Sequence, residues 1–165
     1  MQKQKLIIVD EHDTPIGLKY RDEIDYKKDI YRWSAIWIEN SKNQVLIAQR
    51  QITKDKDPGK WGPAVAGTLE EGETYESNAH KEIEEELGVT IDSFQKGPKQ
   101  YADTPRRYFG QWFLCKLDKS TEEFVLQEDE VAQIAWIDKE ELAEDIQSNP
   151  EKYVPTMIEM VGILL

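Results

Sequence analysis

The chain has 165 residues, of which 33 are acidic, 21 basic and 39% hydrophobic, with a formal net charge of −12. Five Trp and seven Tyr exclude a solvated acidic tail and predict a folded core, and the length suits one domain over residues 1–165. The acidic balance, with no basic stripe, excludes a nucleic-acid polymer as partner but admits a small phosphorylated ligand held through metal ions and a few cations.

In chain order, Lys5 to Val9 is a short β-branched run, and Ile16 to Tyr20 follows a turn at Asp13-Thr14-Pro15, which predicts an opening strand pair. Tyr31 to Glu39 and Gln44 to Arg50 are predicted strands joined by a hairpin-type turn, Asn40-Ser41-Lys42-Asn43. Lys54 to Lys60 is a polar loop with a Pro-Gly stop, and Val65 to Glu73 is a loop carrying two glycines, Gly67 and Gly72. A helix is expected from Thr74 to Leu87, ended by Gly88, with Ala79, Ile83 and Leu87 as its apolar stripe. Val89 to Phe94, Arg107 to Leu117 and Ala132 to Ile137 are further predicted strands, and Lys139 to Gln147 and Glu151 to Leu165 further helices. The lone Cys115 lies in a strand-like run and reads as a buried hydrophobe in a reduced compartment. No run approaches the ~20 apolar residues that span a bilayer, and no signal-peptide core follows the N-terminal residues. The expectation is a cytoplasmic protein without membrane association, and a homodimer is compatible with the sequence.

The chemistry concentrates on the central helix. Glu82, Glu85 and Glu86 stand at i, i+3 and i+4, so three carboxylates share one side of it. Like charges this close repel unless a cation sits among them, and a hard divalent ion with oxygen ligands, such as Mg2+ (or Mn2+), suits the cluster. An acidic run is by itself commonly a solvated helix face. Gly67 and Glu73 at fixed distances upstream are what an ordinary acidic helix would not need.

From Gly67 to Val89 the chain reads Gly-x5-Glu-x7-Lys-Glu-Ile-x-Glu-Glu-x-Gly-Val. This resembles the Nudix box, the signature of a superfamily of Mg2+-dependent pyrophosphohydrolases, with one departure: Lys81 stands where the family usually has Arg. The resemblance implies an α/β/α sandwich with a mixed central sheet, agreeing with strands on both sides of a central helix. It implies that Glu82, Glu85 and Glu86 hold the metal, that Glu86 or a nearby loop carboxylate acts as base, and that Glu73 and Lys81 support them. Lys81 supplies the charge of the family Arg but not its planar fork. A downstream acid often serves as a further ligand or base in this family, and Glu130 is the candidate, with Glu128 the fallback. Arg50, at a strand end, and Arg106 and Arg107, opening another strand, are candidates for phosphate contacts, with Gly67 allowing close backbone approach. Of Trp33, Trp37, Trp61, Tyr101, Tyr108, Phe109 and Trp112, one or two could stack on a base, the others forming core.

Val45 to Arg50, Lys54 to Gly67 and Leu126 to Val131 are similar to the branch related to type 1 isopentenyl-diphosphate isomerase. Those enzymes move protons on an alkene with a Cys just before the box Gly and nearby His ligands. Here Ala64-Val65-Ala66 precedes Gly67, Thr68 stands where a His is expected, and neither His12 nor His80 is placed to substitute. The expectation is therefore hydrolysis of a diphosphate linkage in a small molecule, plausibly a nucleoside diphosphate joined to another group. The alternatives are an isomerase-like enzyme and a nucleotide-binding module without turnover.

Overall fold

A computed structural model describes residues 3–165. Its axis is β3 (Ile30–Glu39), ten residues of which all but Arg32 and Glu39 are buried. A strand covered on both faces is apolar almost throughout rather than alternating. β8 (Arg107–Lys116) runs parallel to it along its full length. On the other side β1 (Lys5–Val9) takes Ile30 and Tyr31, β6 (Val65–Thr68) takes Trp33 to Ile36, and β4 (Gln44–Arg50) takes Ile38 and Glu39. β2 (Pro15–Tyr20) extends from β1, β5 (Trp61–Pro63) and β9 (Val131–Asp138) from β4, and β7 (Gln95–Ala102) from β8, all antiparallel.

Alternation along β3 divides the core. Tyr31, Trp33, Ala35 and Trp37 pack with Trp112, with Leu142 and Ile146 of α2 (Lys139–Ser148), and with Met157, Met160 and Val161 of α3 (Pro155–Leu164). Ile36 and Ile38 belong to the opposite core, with Ala79, Ile83 and Leu87 of α1 (Tyr75–Leu87). A mixed sheet thus lies between α1 on one face and α2 and α3 on the other, the expected α/β/α sandwich. Among the described residues no helix is long and apolar enough to cross a membrane.

Three expected elements differ. Val65 to Thr68, expected as loop, is a strand paired with β3, a segment too short for period-2 alternation to mark. Val89 to Phe94 forms no strand: Val89, Ile91 and Phe94 cover the α1-side core as irregular chain. The strand follows at Gln95–Ala102, whose residues are polar because an edge strand buries little, and its register shifts around Gly97 and Pro98. The last predicted helix splits into a 3-10 turn at Pro150–Lys152 and α3, with Pro155 as its first residue, where its missing N–H costs nothing.

One half-buried polar hub ties the opening hairpin to the sheet. Asp13, at φ 61° in the β1–β2 turn, accepts hydrogen bonds from Arg32 Nε at 2.6 Å and the Tyr75 hydroxyl at 3.0 Å, and pairs with Lys99. Burial pushes its carboxyl up, but Lys99, Arg32 and Tyr75 outweigh that and hold it below its ordinary value. Asp13→Asn keeps the left-handed turn accessible but removes the charge and turns one acceptor oxygen into a donor facing Arg32 or Lys99, so it should lower stability by about 2 kcal/mol in urea denaturation at neutral pH. A depressed carboxylate stabilises above its unfolded value and loses that contribution as pH falls through the folded one. The difference between wild type and variant should therefore narrow as pH falls below the ordinary Asp value of about 3.9.

Candidate active site

The site is built where β6 turns into α1. β6 lies against β3 with Gly67 opposite Ser34 and Ala66 opposite Ala35. After the buried Leu69 the chain turns through Glu70 to Glu73, with Gly72 at φ 85°. Thr74 caps the helix, accepting from Ser77 N at 3.1 Å, while Ser77 Oγ accepts from Thr74 N at 2.9 Å. At the other end Gly88, at φ 64°, donates to Glu84 O. With Ala79, Ile83 and Leu87 fixed against the sheet, Glu82 and Glu86 are turned toward β6.

Gly67 makes that approach possible. A Cβ at this position would lie 2.1 Å from the Glu82 carboxyl carbon, so any larger residue would expel the carboxylate. The missing side chain clears space for Glu82. Glu73 joins turn to helix: its carboxylate accepts from Glu70 N at 2.8 Å and Asn78 Nδ2 at 3.0 Å, and pairs with Lys81 at 2.7 Å. Lys81 Nζ also meets Glu70 at 3.1 Å and Glu82 at 3.4 Å. A tetrahedral ammonium has three donors, so Lys81 serves three carboxylates without the planar fork of an arginine. Burial lowers its proton affinity, but the bonds to Glu73 and Glu70 and the charge of Glu82 leave it raised.

Asn78 was not singled out from the sequence. It is fully buried, accepts from the Ser34 hydroxyl, and donates to Glu73 and, at 3.3 Å, to Glu82. Its position four residues before Glu82 on the same face was the available signal.

The carboxylates carry more negative charge than the site neutralises. Burial pushes the Glu82 carboxyl up to about 7, against the pull of Lys81 and with Glu85 and Glu73 adding repulsion. Glu86 is 8% exposed. Burial first, then the charges of Glu82 and Glu130, hold it well above its ordinary value, opposed by the Ala66 N–H and the Arg50 charge. Among the described residues no cation lies within ion-pair distance of Glu86, and no three His, Cys, Asp or Glu side chains already stand at metal-ligand spacing. Glu85 is exposed beside them. The donor set still fits a hard divalent cation: oxygen ligands only, one of them buried without a counter-charge, and a flexible third at the rim.

The other candidates separate clearly. Gln127 N donates to Glu86 O, Gln51 N to Glu130 O, and Gln51 Nε2 to Glu128 O, which stitches the acidic loop between α1 and the end of β4. Glu130 is half-buried there, paired with Lys54 at 2.6 Å, whereas Glu128 is exposed. Arg50 Nε donates to Lys56 O at 2.9 Å, and its charge reaches Glu86. The Arg106 guanidinium lies 4.1 Å from the centre of the Tyr26 ring. Arg107 is held by Lys28 O at 3.0 Å, Glu11 at 3.1 Å and the Tyr101 hydroxyl at 3.3 Å, which gives it a structural task. Trp33, Trp37, Tyr108 and Trp112 form one edge-packed aromatic core. Trp61 instead lines a cleft of about 390 Å³ with Ile47, Trp136 and Tyr153, a cleft that contains none of the clustered glutamates. Burial pushes the Cys115 thiol up to about 12, as suits a packed, unreactive side chain.

Comparison with known proteins bears on this geometry. The family model described as the NUDIX domain matches residues 31–157. An uncharacterized Nudix hydrolase of Listeria monocytogenes is 35% identical over 120 residues, covering 73% of this chain and 69% of its own. Isopentenyl-diphosphate Delta-isomerase 2 of Photorhabdus laumondii is 28% identical over 153 residues, covering 90% and 85%. The crystal structure of DR0079 from Deinococcus radiodurans superimposes with a TM-score of 0.84 over 97% of this chain and 98% of that one, at 24% identity, a likeness of fold.

Two outcomes follow from the clustered charge. Gly67→Ala should displace Glu82 and weaken Mg2+ binding about tenfold or more in calorimetry, with a stability loss of about 1–3 kcal/mol from the forced contact. In metal-free protein the raised Glu82 stabilises fully below its unfolded value near 4.3 and loses that contribution as pH rises through about 7. Melts in EDTA should therefore show stability falling by on the order of 2 kcal/mol between about pH 4.5 and 8. Added Mg2+ should remove most of the decline.

Proposed function

The chain belongs to the Nudix family, and from that premise we propose that it is a Mg2+-dependent hydrolase of a diphosphate linkage in a small molecule, a nucleoside diphosphate joined to another group being the class it suits. The observation that supports this reading is Glu86, a buried carboxylate without a cationic partner among the described residues, beside a second raised carboxylate at Glu82.

Glu82, Glu85 and Glu86 would hold the divalent ion. When bound, it neutralises phosphoryl oxygens and acidifies a water molecule. The remaining work falls to the chain. Gly67 and Asn78 keep Glu82 against β6, and Lys81 with Glu73 fixes the turn before α1. The positive charge of Arg50 partly offsets that of Glu86. Glu86 or Glu130 would take the proton of the attacking water. The water oxygen bonds to one phosphorus, the bridging P–O bond breaks, and its electron pair leaves on the second phosphate. Two phosphate monoesters result, with one proton released.

A second reading comes from the Photorhabdus relative, named an isomerase. The chemistry here opposes it, because Ala66 and Thr68 stand where a thiol and an imidazole are required. Purified protein with Mg2+ or Mn2+ and a panel of nucleotide sugars, dinucleotides, nucleoside triphosphates and prenyl diphosphates decides between them. Cleavage at phosphorus supports hydrolysis, and a prenyl isomer overturns it. Glu86→Gln should keep the fold and lower kcat by about a hundredfold or more. Full turnover in that variant would remove Glu86 from the mechanism.

A further inference from the structure

A buried asparagine amid carboxylates is unfavourable unless each of its polar atoms finds a partner. Asn78 is fully buried in α1, between Ser34 of β3 and the glutamates. Its Oδ1 accepts from the Ser34 hydroxyl. Its Nδ2 faces three acceptors, Glu73 Oε2 at 3.0 Å, and Glu82 Oε1 and Thr68 O at 3.3 Å each. A hydroxyl donor on one side and carboxylates on the other leave the amide a single orientation. The strand therefore holds the donor end of Asn78 toward Glu82.

The contacts to Glu82 are one-sided. Lys81 Nζ approaches the same Oε1, at 3.4 Å, and Oε1 would lie 2.3 Å from a Cβ at Gly67. Among the described residues no hydrogen bond reaches Glu82 Oε2. Glu73 shows the opposite pattern. Lys81 meets its Oε1 at 2.7 Å, while Asn78 Nδ2 and Glu70 N donate to its Oε2. Both oxygens of Glu73 are engaged within the turn, whereas Glu82 keeps one oxygen open. An ammonium is a point charge that attracts carboxylates without fixing their rotation. Lys81 divides its donors among Glu73, Glu70 and Glu82, and Glu82 is the most distant of the three. The planar amide of Asn78 adds a directional contact at Oε1.

We propose that Asn78 is a positioning residue which, with Lys81, fixes Glu82 by Oε1 and so presents Oε2 alone to the divalent ion. The inference rests on the clustered glutamates holding that ion, as the hydrolase reading requires. Asn78 and Lys81 then share one task, the ammonium supplying charge and the amide supplying direction. Lys81→Arg would supply both from one side chain, because a planar guanidinium donates along two fixed lines. That substitution should therefore matter only where the amide is missing.

Calorimetry with Mg2+ alone tests it on wild type, Asn78→Ala, Lys81→Arg, the double variant and Val161→Ala, a control that opens a cavity in the core on the other face of the sheet. Asn78→Ala should lose about tenfold or more in Mg2+ affinity. Lys81→Arg should change the affinity of wild type by less than about twofold, yet restore most of the loss in the double variant. Val161→Ala should melt at a lower temperature and bind Mg2+ as wild type does, which separates positioning from a general loss of stability. Unchanged affinity in Asn78→Ala, an equal loss in the control, or the same effect of Lys81→Arg in both backgrounds would overturn the inference and leave the hydrolase reading in place. No Mg2+ binding by wild type would overturn both. A second measurement needs no change at Asn78: infrared spectra of wild type with and without Mg2+ at alkaline pH, with Glu82→Gln to assign the Glu82 bands. Coordination through one oxygen widens the splitting between the two carboxylate stretches, and coordination through both narrows it. Widening is expected for Glu82, and narrowing would overturn the inference.

Discussion

Negative charge held against the sheet without enough positive charge to balance it is the constraint on which the rest of the site depends. Glu82 and Glu86 approach β6 because α1 is fixed by its apolar stripe and because Gly67 presents no side chain. Fold energy places the carboxylates, and their repulsion opposes that placement. A protein selected only for stability would not keep such an arrangement, because a buried charge without a partner costs several kcal/mol or titrates away. Its persistence is an argument for a cation that joins the folded protein.

The surrounding polar network shows how this charge is kept from spreading disorder. Lys81 neutralises the outer part of the cluster through Glu70, Glu73 and Glu82, and leaves Glu86 alone. Asn78 connects the two levels, since one buried amide reaches both Glu73 and Glu82. The substitution of Lys for the usual Arg is accommodated by geometry: three carboxylates around one ammonium replace a planar two-point contact. On the far side Lys54 performs the same service for Glu130. Glu86 is therefore the carboxylate of this group that no cation reaches within ion-pair distance among the described residues, between two that are paired.

Much of this was legible in the sequence because it is local. Helical spacing places Glu82, Glu85 and Glu86 on one side, and the fixed distance to Gly67 and Glu73 identifies the turn that packs beneath them. The sandwich followed from apolar runs on both sides of that helix. The strand at Gln95–Ala102 was hidden because an edge strand is polar, and the apolar Val89 to Phe94 misled because irregular chain can fill a core as well as a strand does.

The relation to an isomerase shows how one scaffold carries two chemistries. Phosphoanhydride hydrolysis asks the protein for charge neutralisation and an oriented water, and carboxylates with a divalent ion suffice. Moving a proton on an unactivated alkene also needs a strong acid and base poised at carbon, and neither Ala66 nor Thr68 can act as one. Ala66 is exposed between Val65 and Gly67, so the place for such a group exists on the strand and holds only a methyl. The one thiol in the chain, Cys115, is on β8 opposite Ile38 and is kept protonated by burial. Loss of those groups would abolish isomerisation and leave hydrolysis untouched, because hydrolysis never used them. The β6 and α1 geometry keeps the clustered carboxylates that a Nudix hydrolase needs and lacks the groups that isomerisation needs.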